Sequence, residues 1–362
     1  MGSPSPATGT VDSPRDVANK SAKGKILRAI RMALQIESPA LQRNTRTFNR
    51  NRYRAVNELS DYHALKDEAR SIKERSIAQQ PELLAQLKRA VEQRGGHFYL
   101  APKPEDACRY ILDVCVRQGA RLVVKGKSMT SEEIQLNHTL ERAGIEVAET
   151  DLAEFILQVA DEQPSHIIAP AIHYTRERIT DLFKRKFHTA EPLDTGEELT
   201  RFARERLRHK FLHADVGISG ANLIAADDAS LMLVESEGNI RMASTLPPVH
   251  IAIAGVEKVI SARADMGVFV ELLSASATGQ SMSVYTSIMS PPLKMPLFAL
   301  DDSRNRSREF HLVLIDNGRL KMREDPVLKE TLYCIRCSAC LNSCANFQTV
   351  GGHAFGGETY SG

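Results

Sequence analysis

Short apolar runs alternating with amphipathic helical stretches through the middle of the chain predict an α/β protein, a parallel or mixed sheet covered by helices. Two further observations frame that body. Residues 1–55 hold eleven Lys or Arg against three acids (Asp12, Asp16 and Glu37), a local charge of +8. Near the other end, four of the six cysteines fall within eleven residues: Cys334, Cys337, Cys340 and Cys344. A strand–helix body is therefore expected between a basic arm and a cysteine-rich segment.

With 362 residues, 42% of them hydrophobic and 25% charged, the chain can bury a sizeable core in two or three domains. Residues 1–22 are rich in Ser, Pro, Gly, Thr and Ala and are expected to be disordered. Residues 23–95 read as a basic helical arm. Within it, Ile26, Ile30, Met32, Ala33 and Ile36 recur at roughly helical spacing opposite Lys and Arg. Docking of that face on the rest of the chain is favoured; a membrane surface or an acidic partner are the alternatives.

The body, residues 96–300, opens with a strand at His97–Ala101 and a helix at Pro104–Gln118 that carries Cys108, Ile111, Leu112 and Cys115 on one face. Leu122–Val124 reads as a strand, and Ser131–Ala143 as a helix opened by a Thr130–Glu133 capping box. Strands are expected at Ile145–Ala148 and His166–Ala169, and helices at Asp151–Val159, Tyr174–Phe187 and Glu197–Leu212. Then the texture shortens. Val216–Ser219, Leu223–Ala226, Leu231–Val234 and His250–Ala254 are apolar runs with short connections, so antiparallel pairing inserted into or added to the parallel sheet is expected. A helix at Val268–Leu273 and strands at Ser283–Ile288 and Leu312–Ile315 follow. The Pro- and Arg-containing stretch 291–308 reads as a boundary loop, leaving residues 301–362 as a C-terminal strand and helix with the cysteine segment.

Composition excludes several function classes. A net charge of +2, 6% aromatic residues and no Trp argue against nucleic acid as the main partner. No apolar run approaches the roughly 18 residues of a membrane span. Residues 1–20 lack the apolar core of a secretory signal, so a cytoplasmic location is expected.

The cysteines are spaced C-x2-C-x2-C-x3-C. Three thiolates two residues apart can meet three corners of one [4Fe–4S] cubane, and in the bacterial ferredoxin run the fourth ligates a second cluster. Structural zinc, which usually takes two CxxC pairs across a longer insert, is the weaker alternative. Ala345 stands where that run usually has Pro, and no further Cys follows Cys344. Cys108 and Cys115, on an apolar helix face, read as core residues.

Gly126-Lys127-Ser128 ends like a phosphate loop, but Arg121 occupies the position of the required Gly. What remains is a turn between a strand and a helix start, where a cation, a hydroxyl and free N–H groups could seat a carboxylate; a capped helix with a solvated Lys is the plainer reading. Glu237 and Asn239 flank Gly238 after a strand, facing a substrate or forming only a tight turn. His250 is a candidate base, though a satisfied structural His is favoured. His138, His166 and His173 cannot be gathered into a metal site from spacing. Arg336, between two cluster cysteines, either tunes a cluster or faces solvent. Gly217 and Gly220 do not form a dinucleotide fingerprint, so neither flavin nor nicotinamide is expected.

From about residue 25 the chain resembles the lactate utilization protein B family. The resemblance is carried by Val124-Lys125-Gly126-Lys127-Ser128-Met129, Ala169-Pro170-Ala171-Ile172-His173, Ala214-Asp215-Val216-Gly217-Ile218-Ser219-Gly220, Glu237-Gly238-Asn239, Gly255-Val256-Glu257-Lys258-Val259, Ser276-Ala277-Thr278-Gly279-Gln280 and Cys334-Ile335-Arg336-Cys337, in that order. It implies an LUD domain similar to the sugar-isomerase and CoA-transferase-like α/β group, a ferredoxin-type tail with two [4Fe–4S] clusters, and co-encoded partner subunits. The second Cys motif of that tail is missing here, so a C-terminally truncated chain is expected. The resemblance implies an iron–sulfur electron-transfer subunit of an L-lactate oxidation system, inactive alone. The alternatives are a small-carboxylate binding or sensing module with a structural cluster, or an isomerase or transferase of the related fold.

Overall fold

Residues 14–291 and 308–355 are described by a computed structural model; 1–13 of the expected disordered segment and most of the expected boundary loop lie outside them. The arm is helical: α1 (Pro14–Met32), a π turn at Ala33–Glu37, α2 (Ser38–Glu58), α3 (Tyr62–Ala78) and α4 (Gln80–Gln93). The expected docking of the Lys25–Ile36 face is seen only in part among the described residues, where α1 contacts the turn at Gly352–Phe355. Ala33 is buried, but Ile26, Met32 and Ile36 are about half exposed. The π turn adds a residue to the helical repeat, so Ile36 leaves the face set by the helix before it.

The body alternates strand and helix: β1 (His97–Ala101), α5 (Pro104–Arg117), β2 (Leu122–Lys125), α6 (Met129–Glu133), α7 (Leu136–Arg142), β3 (Glu146–Glu149), α8 (Leu152–Ala160), α9 (Arg176–Phe187) and α10 (Gly196–His213). There follow β4 (Val216–Ser219), β5 (Leu223–Ala225), β6 (Leu231–Glu235), α11 (Asn239–Thr245), β7 (Val249–Gly255), β8 (Val259–Ile260), α12 (Met266–Ala277), β9 (Tyr285–Met289) and β10 (Glu309–Ile315). Three short helices, α13 (Arg319–Met322), α14 (Ala339–Ser343) and α15 (Ala345–Val350), belong to the cysteine segment.

Six strands form one all-parallel sheet in the order β1-β10-β7-β4-β2-β3. The expected antiparallel pairing after Asp215 holds only in part. β4 and β7 enter the parallel sheet, while β5, β6 and β9 pair antiparallel in a second sheet ordered β8-β5-β6-β9. Burial explains the split. All seven residues of β7 are buried, with Val249, Ile251 and Ile253 against α5 and α7 and Ala252 and Ala254 against α4. Such strands, apolar on both faces, belong between helical layers. Each fully buried Val, Ile or Leu there contributes about 1.5–3 kcal/mol.

Two local expectations are corrected. His166–Ala169 is a turn, not a strand, because the His166 ring folds back and its Nδ1 accepts the N–H groups of Ile168 and Ala169 at 3.1 and 3.0 Å. The Thr130–Glu133 capping box is absent. Ser128 is the N-cap of α6, its hydroxyl accepting from Ser131 N–H at 3.4 Å, and the helix breaks at Gln135, whose φ is 52°. Glu133 is engaged elsewhere, gripped by Arg319 through Nη1 and Nη2 at 3.0 and 2.6 Å. Cys108 and Cys115 lie in the core on α5, as the helical periodicity predicts.

Candidate functional site

Where the carboxyl ends of β2 and β4 meet the second sheet, a cavity of about 240 Å³ opens. Parallel α/β sheets present their loops for ligands at this end of the strands. The Gly126-Lys127-Ser128 turn leaves β2 and lines one wall, and Gly220, after β4, leaves room for Ser128: a Cβ there would lie 3.1 Å from its hydroxyl. Asn239, on the first turn of α11, lines the wall opposite, and its amide donates to Thr150 Oγ1 at 3.3 Å. Glu235 sets that wall by accepting the N–H groups of Ile240 and Arg241 at 2.7 and 3.2 Å. Gly238 makes the turn at φ 76°.

Lys127, Ser128 and Asn239 thus share one cavity, while Glu237 and His250 do not line it. Glu237 turns behind Asn239 and accepts Leu152 N–H at 3.2 Å. Burial, then the neighbouring Asp151, pushes its carboxyl up to about 7. His250 is inside the parallel sheet, its Nε2 2.8 Å from Ser219 Oγ and its ring 5.3 Å from Phe310, and burial pushes it down to about 3. That is the environment of a structural histidine. The Lys127 ammonium donates to Ile168 carbonyl; burial lowers its pKa, against the opposing pull of Asp151, Glu154 and Glu237.

Sequence reasoning missed Asp151 and Lys258, which line the same cavity. Lys258 is buried, and burial pushes it down to about 8 despite Glu257 beside it. Arg336 lines the cavity too, together with Ile335, so the cysteine loop forms part of its wall. Arg336 Nη2 reaches Glu257 Oε1 at 3.8 Å, and Arg319 Nε holds the same carboxylate at 2.8 Å. Burial pushes Glu257 up, but Arg319, Lys258 and Arg336 outweigh it and bring the carboxyl down to about 2.

The donor set of the cysteine loop suits an iron–sulfur cluster. Arg336 and Ser338, between the cysteines, take left-handed φ values of 59° and 64°, which curl the loop on itself. Arg336 N–H donates to Cys334 Sγ at 3.3 Å, the type of bond that stabilises a ligating thiolate. The sulfurs feel one another. Burial pushes the Cys337 thiol up, and Cys334 and Cys340 add to it; burial likewise raises Cys340, with Cys334 and Cys344 adding. Cations stand behind the loop, with Lys73 and Lys258 lining a small pocket against Cys334 and Ile335.

The LUD domain model matches residues 84–315, which span every strand of both sheets. The chain belongs to the lactate utilization protein B family. It is 40% identical over 312 residues to "Lactate utilization protein B 2" of Bacillus mycoides (strain KBAB4), covering 86% of this chain and 64% of that protein. It is 39% identical over 330 residues to "Uncharacterized electron transport protein YkgF" of Escherichia coli (strain K12), covering 90% and 68%. The chain thus spans a little under two thirds of the Bacillus family member. A solved DUF162 family protein from Deinococcus radiodurans aligns with a TM-score of 0.36 at 10% identity, over 65% of this chain and 98% of that one. Among the described residues, no helix is long and apolar enough to cross a membrane.

Proposed function

We propose that this chain is an iron–sulfur electron-transfer subunit of a system that oxidises L-lactate to pyruvate with co-encoded partner subunits. One observation carries the reading: Ile335 and Arg336, set between Cys334 and Cys337, line the same cavity as Lys127 and Ser128. A small carboxylate in that cavity would meet Lys127, Lys258 and Arg336 as cations, with Asn239 and Ser128 as hydrogen-bonding groups. Cys334, Cys337 and Cys340 would hold one [4Fe–4S] cluster and Cys344 would belong to a second. Such a cluster, when bound, supplies one-electron transfer. The chain's own residues would bind and orient the carboxylate, and Arg336 would tie its position to the cluster loop. The names of the relatives support both lactate utilization and electron transport.

Oxidation of lactate removes two electrons and two protons, whereas an iron–sulfur cluster carries single electrons, so the chain is assigned the carrier role, with the two-electron step shared with partners. The test is anaerobic reconstitution, followed by iron analysis and visible spectra before and after reduction. Absorption that bleaches on reduction and disappears in Cys334→Ser is expected. Absorption that does not bleach would favour a binding module with a structural metal, and turnover of L-lactate by the isolated chain without flavin would overturn the subunit reading.

A further inference from the structure

We propose that Glu37, His173 and His353 form a mononuclear site for a divalent transition metal of the zinc class, separate from the cysteine loop. One ligand atom from each of the three residues lies within 4.8 Å of the others. They come from three distant stretches of sequence: Glu37 ends the π turn of the arm, His173 precedes α9, and His353 lies in a short 3-10 turn after α15. Glu37 and His173 are buried. An isolated π turn is frequently a feature of functional sites, and this one sets a carboxylate inside the protein.

The hydrogen bonds fix which ring nitrogens are free. His173 Nε2 lies 3.0 Å from Glu162 Oε2, and Tyr174 hydroxyl donates to the other Glu162 oxygen at 2.9 Å. A carboxylate oxygen accepts hydrogen bonds, as this group already does from Tyr174. His173 Nε2 therefore carries the proton, and Nδ1 presents a lone pair. That Nδ1 is buried with no hydrogen-bond partner, as is Glu37 Oε2. His353 repeats the pattern: its Nε2 lies 2.8 Å from the Gln163 carbonyl, which again can only accept, and its Nδ1 faces Glu37 Oε1 at 3.7 Å. Two imidazole Nδ1 atoms and a carboxylate thus converge, and with both rings neutral these electron-rich atoms repel one another unless a metal ion, or a proton on His353 Nδ1, sits among them. The 3.7 Å separation is close to the roughly 3.4 Å edge of a tetrahedron with metal–ligand bonds of about 2.1 Å.

Both histidines have the outer-shell partner that metal-bound imidazoles commonly use, a carboxylate for one and a backbone carbonyl for the other. The N2O donor set suits Zn(II), Co(II) or Fe(II) rather than calcium or magnesium, and three protein ligands leave a position for water. The backbone holds the third ligand in place. Gly352 N–H donates to Ser165 carbonyl at 3.1 Å, and a Cβ on Gly351 (φ 65°) would lie 2.8 Å from Ser165 Oγ. A bound ion would therefore join the arm, the 161–175 loop and the cysteine segment. The competing arrangement is an imidazolium at His353 paired with Glu37, with no metal.

Cobalt(II) is the probe, because a nitrogen–oxygen site gives visible d–d bands without the near-ultraviolet sulfur-to-cobalt band of a thiolate site. The full chain carrying Cys334→Ser, Cys337→Ser, Cys340→Ser and Cys344→Ser is expected to bind one equivalent with d–d bands alone. His173→Gln and His353→Gln should abolish those bands, and Glu162→Gln should weaken binding by about 10–100-fold. If the four-serine chain fails to fold, the same substitutions in the cysteine-containing chain should remove the nitrogen–oxygen bands and leave the sulfur band intact. Absence of the d–d bands, or bands insensitive to both His variants, would overturn the proposal in favour of the imidazolium pair.

Discussion

Lys125 and Glu149 face each other in register across β2 and β3, with Nζ 2.8 Å from Oε1 and both side chains sealed inside the protein. The ammonium also reaches Glu132 Oε1 and Ser131 Oγ, each at 2.8 Å. Glu154 adds a third carboxylate; burial, with Glu149 and Glu132, raises it well above the usual carboxylate range. One cation thus holds an acidic cluster directly behind the Lys127 turn.

Removing that cation leaves buried carboxylates without compensation, so Lys125→Met should destabilise the fold by about 3–5 kcal/mol at neutral pH. In the variant the carboxylates should bind protons more readily folded than unfolded. Because the folded state then holds more protons, stability rises as pH falls. Urea unfolding at two pH values checks this: the deficit should shrink on going from pH about 8 to about 5. A deficit independent of pH would separate Lys125 from the acidic cluster.

The wild-type protein should be acid-labile. Burial pushes His250 down to about 3, and His166 and His311 to about 4, against about 6.5 in the unfolded chain. His166 shows why: Nδ1 accepts two backbone N–H groups and Nε2 lies 3.0 Å from Asn342 Oδ1, so no site remains for a second proton. The unfolded chain binds more protons in this window, so stability is full above pH about 6.5 and falls as pH drops toward 4. In His250→Gln the slope of unfolding free energy against pH should decrease by about one proton near pH 5. An unchanged slope would mean that His250 titrates alike in both states.

Lys127→Ala should weaken binding of lactate, pyruvate or a related small acid by about 1.5–3 kcal/mol, the range for a hydrogen bond to a charged group. Isothermal calorimetry on both proteins measures it. The neighbouring Asn239→Ala should cost about 0.5–1.5 kcal/mol, a neutral hydrogen bond. Equal affinities for wild type and Lys127→Ala would leave that lysine as a structural donor to the Ile168 carbonyl.

Gly217 carries α11 against the sheet. A Cβ there would lie 1.8 Å from the Ala243 carbonyl oxygen and 3.0 Å from Pro247, so Gly217→Ala must push the helix outward. Overpacking of this kind costs about 1–3 kcal/mol or more. Asn239 sits on the same helix, so carboxylate affinity should fall together with thermal stability. A stable variant with unaltered affinity would contradict the close packing of α11 on β4.

The sequence by itself determined the strand–helix alternation, the core face of α5 with its two cysteines, and the cysteine run, because each is written in local spacing. It also marked the Lys127 turn and Gly238, where a strand must end and a backbone must reverse. Its local rules failed where a side chain found a distant partner. Glu133 was a capping candidate by spacing, yet Arg319, far along the chain, claims it. His166 read as part of a strand until its ring captured two backbone donors of its own turn. Only the tertiary structure separated β4 and β7 from β5 and β6, because strand partnership depends on which helices cover each face. It alone set Lys258 and Arg336 against Lys127, left His250 in the core, and brought Glu37, His173 and His353 together from three segments. Such convergence has no period in the sequence; it arises from long-range packing, which places groups within a few ångströms of one another however far apart they lie along the chain.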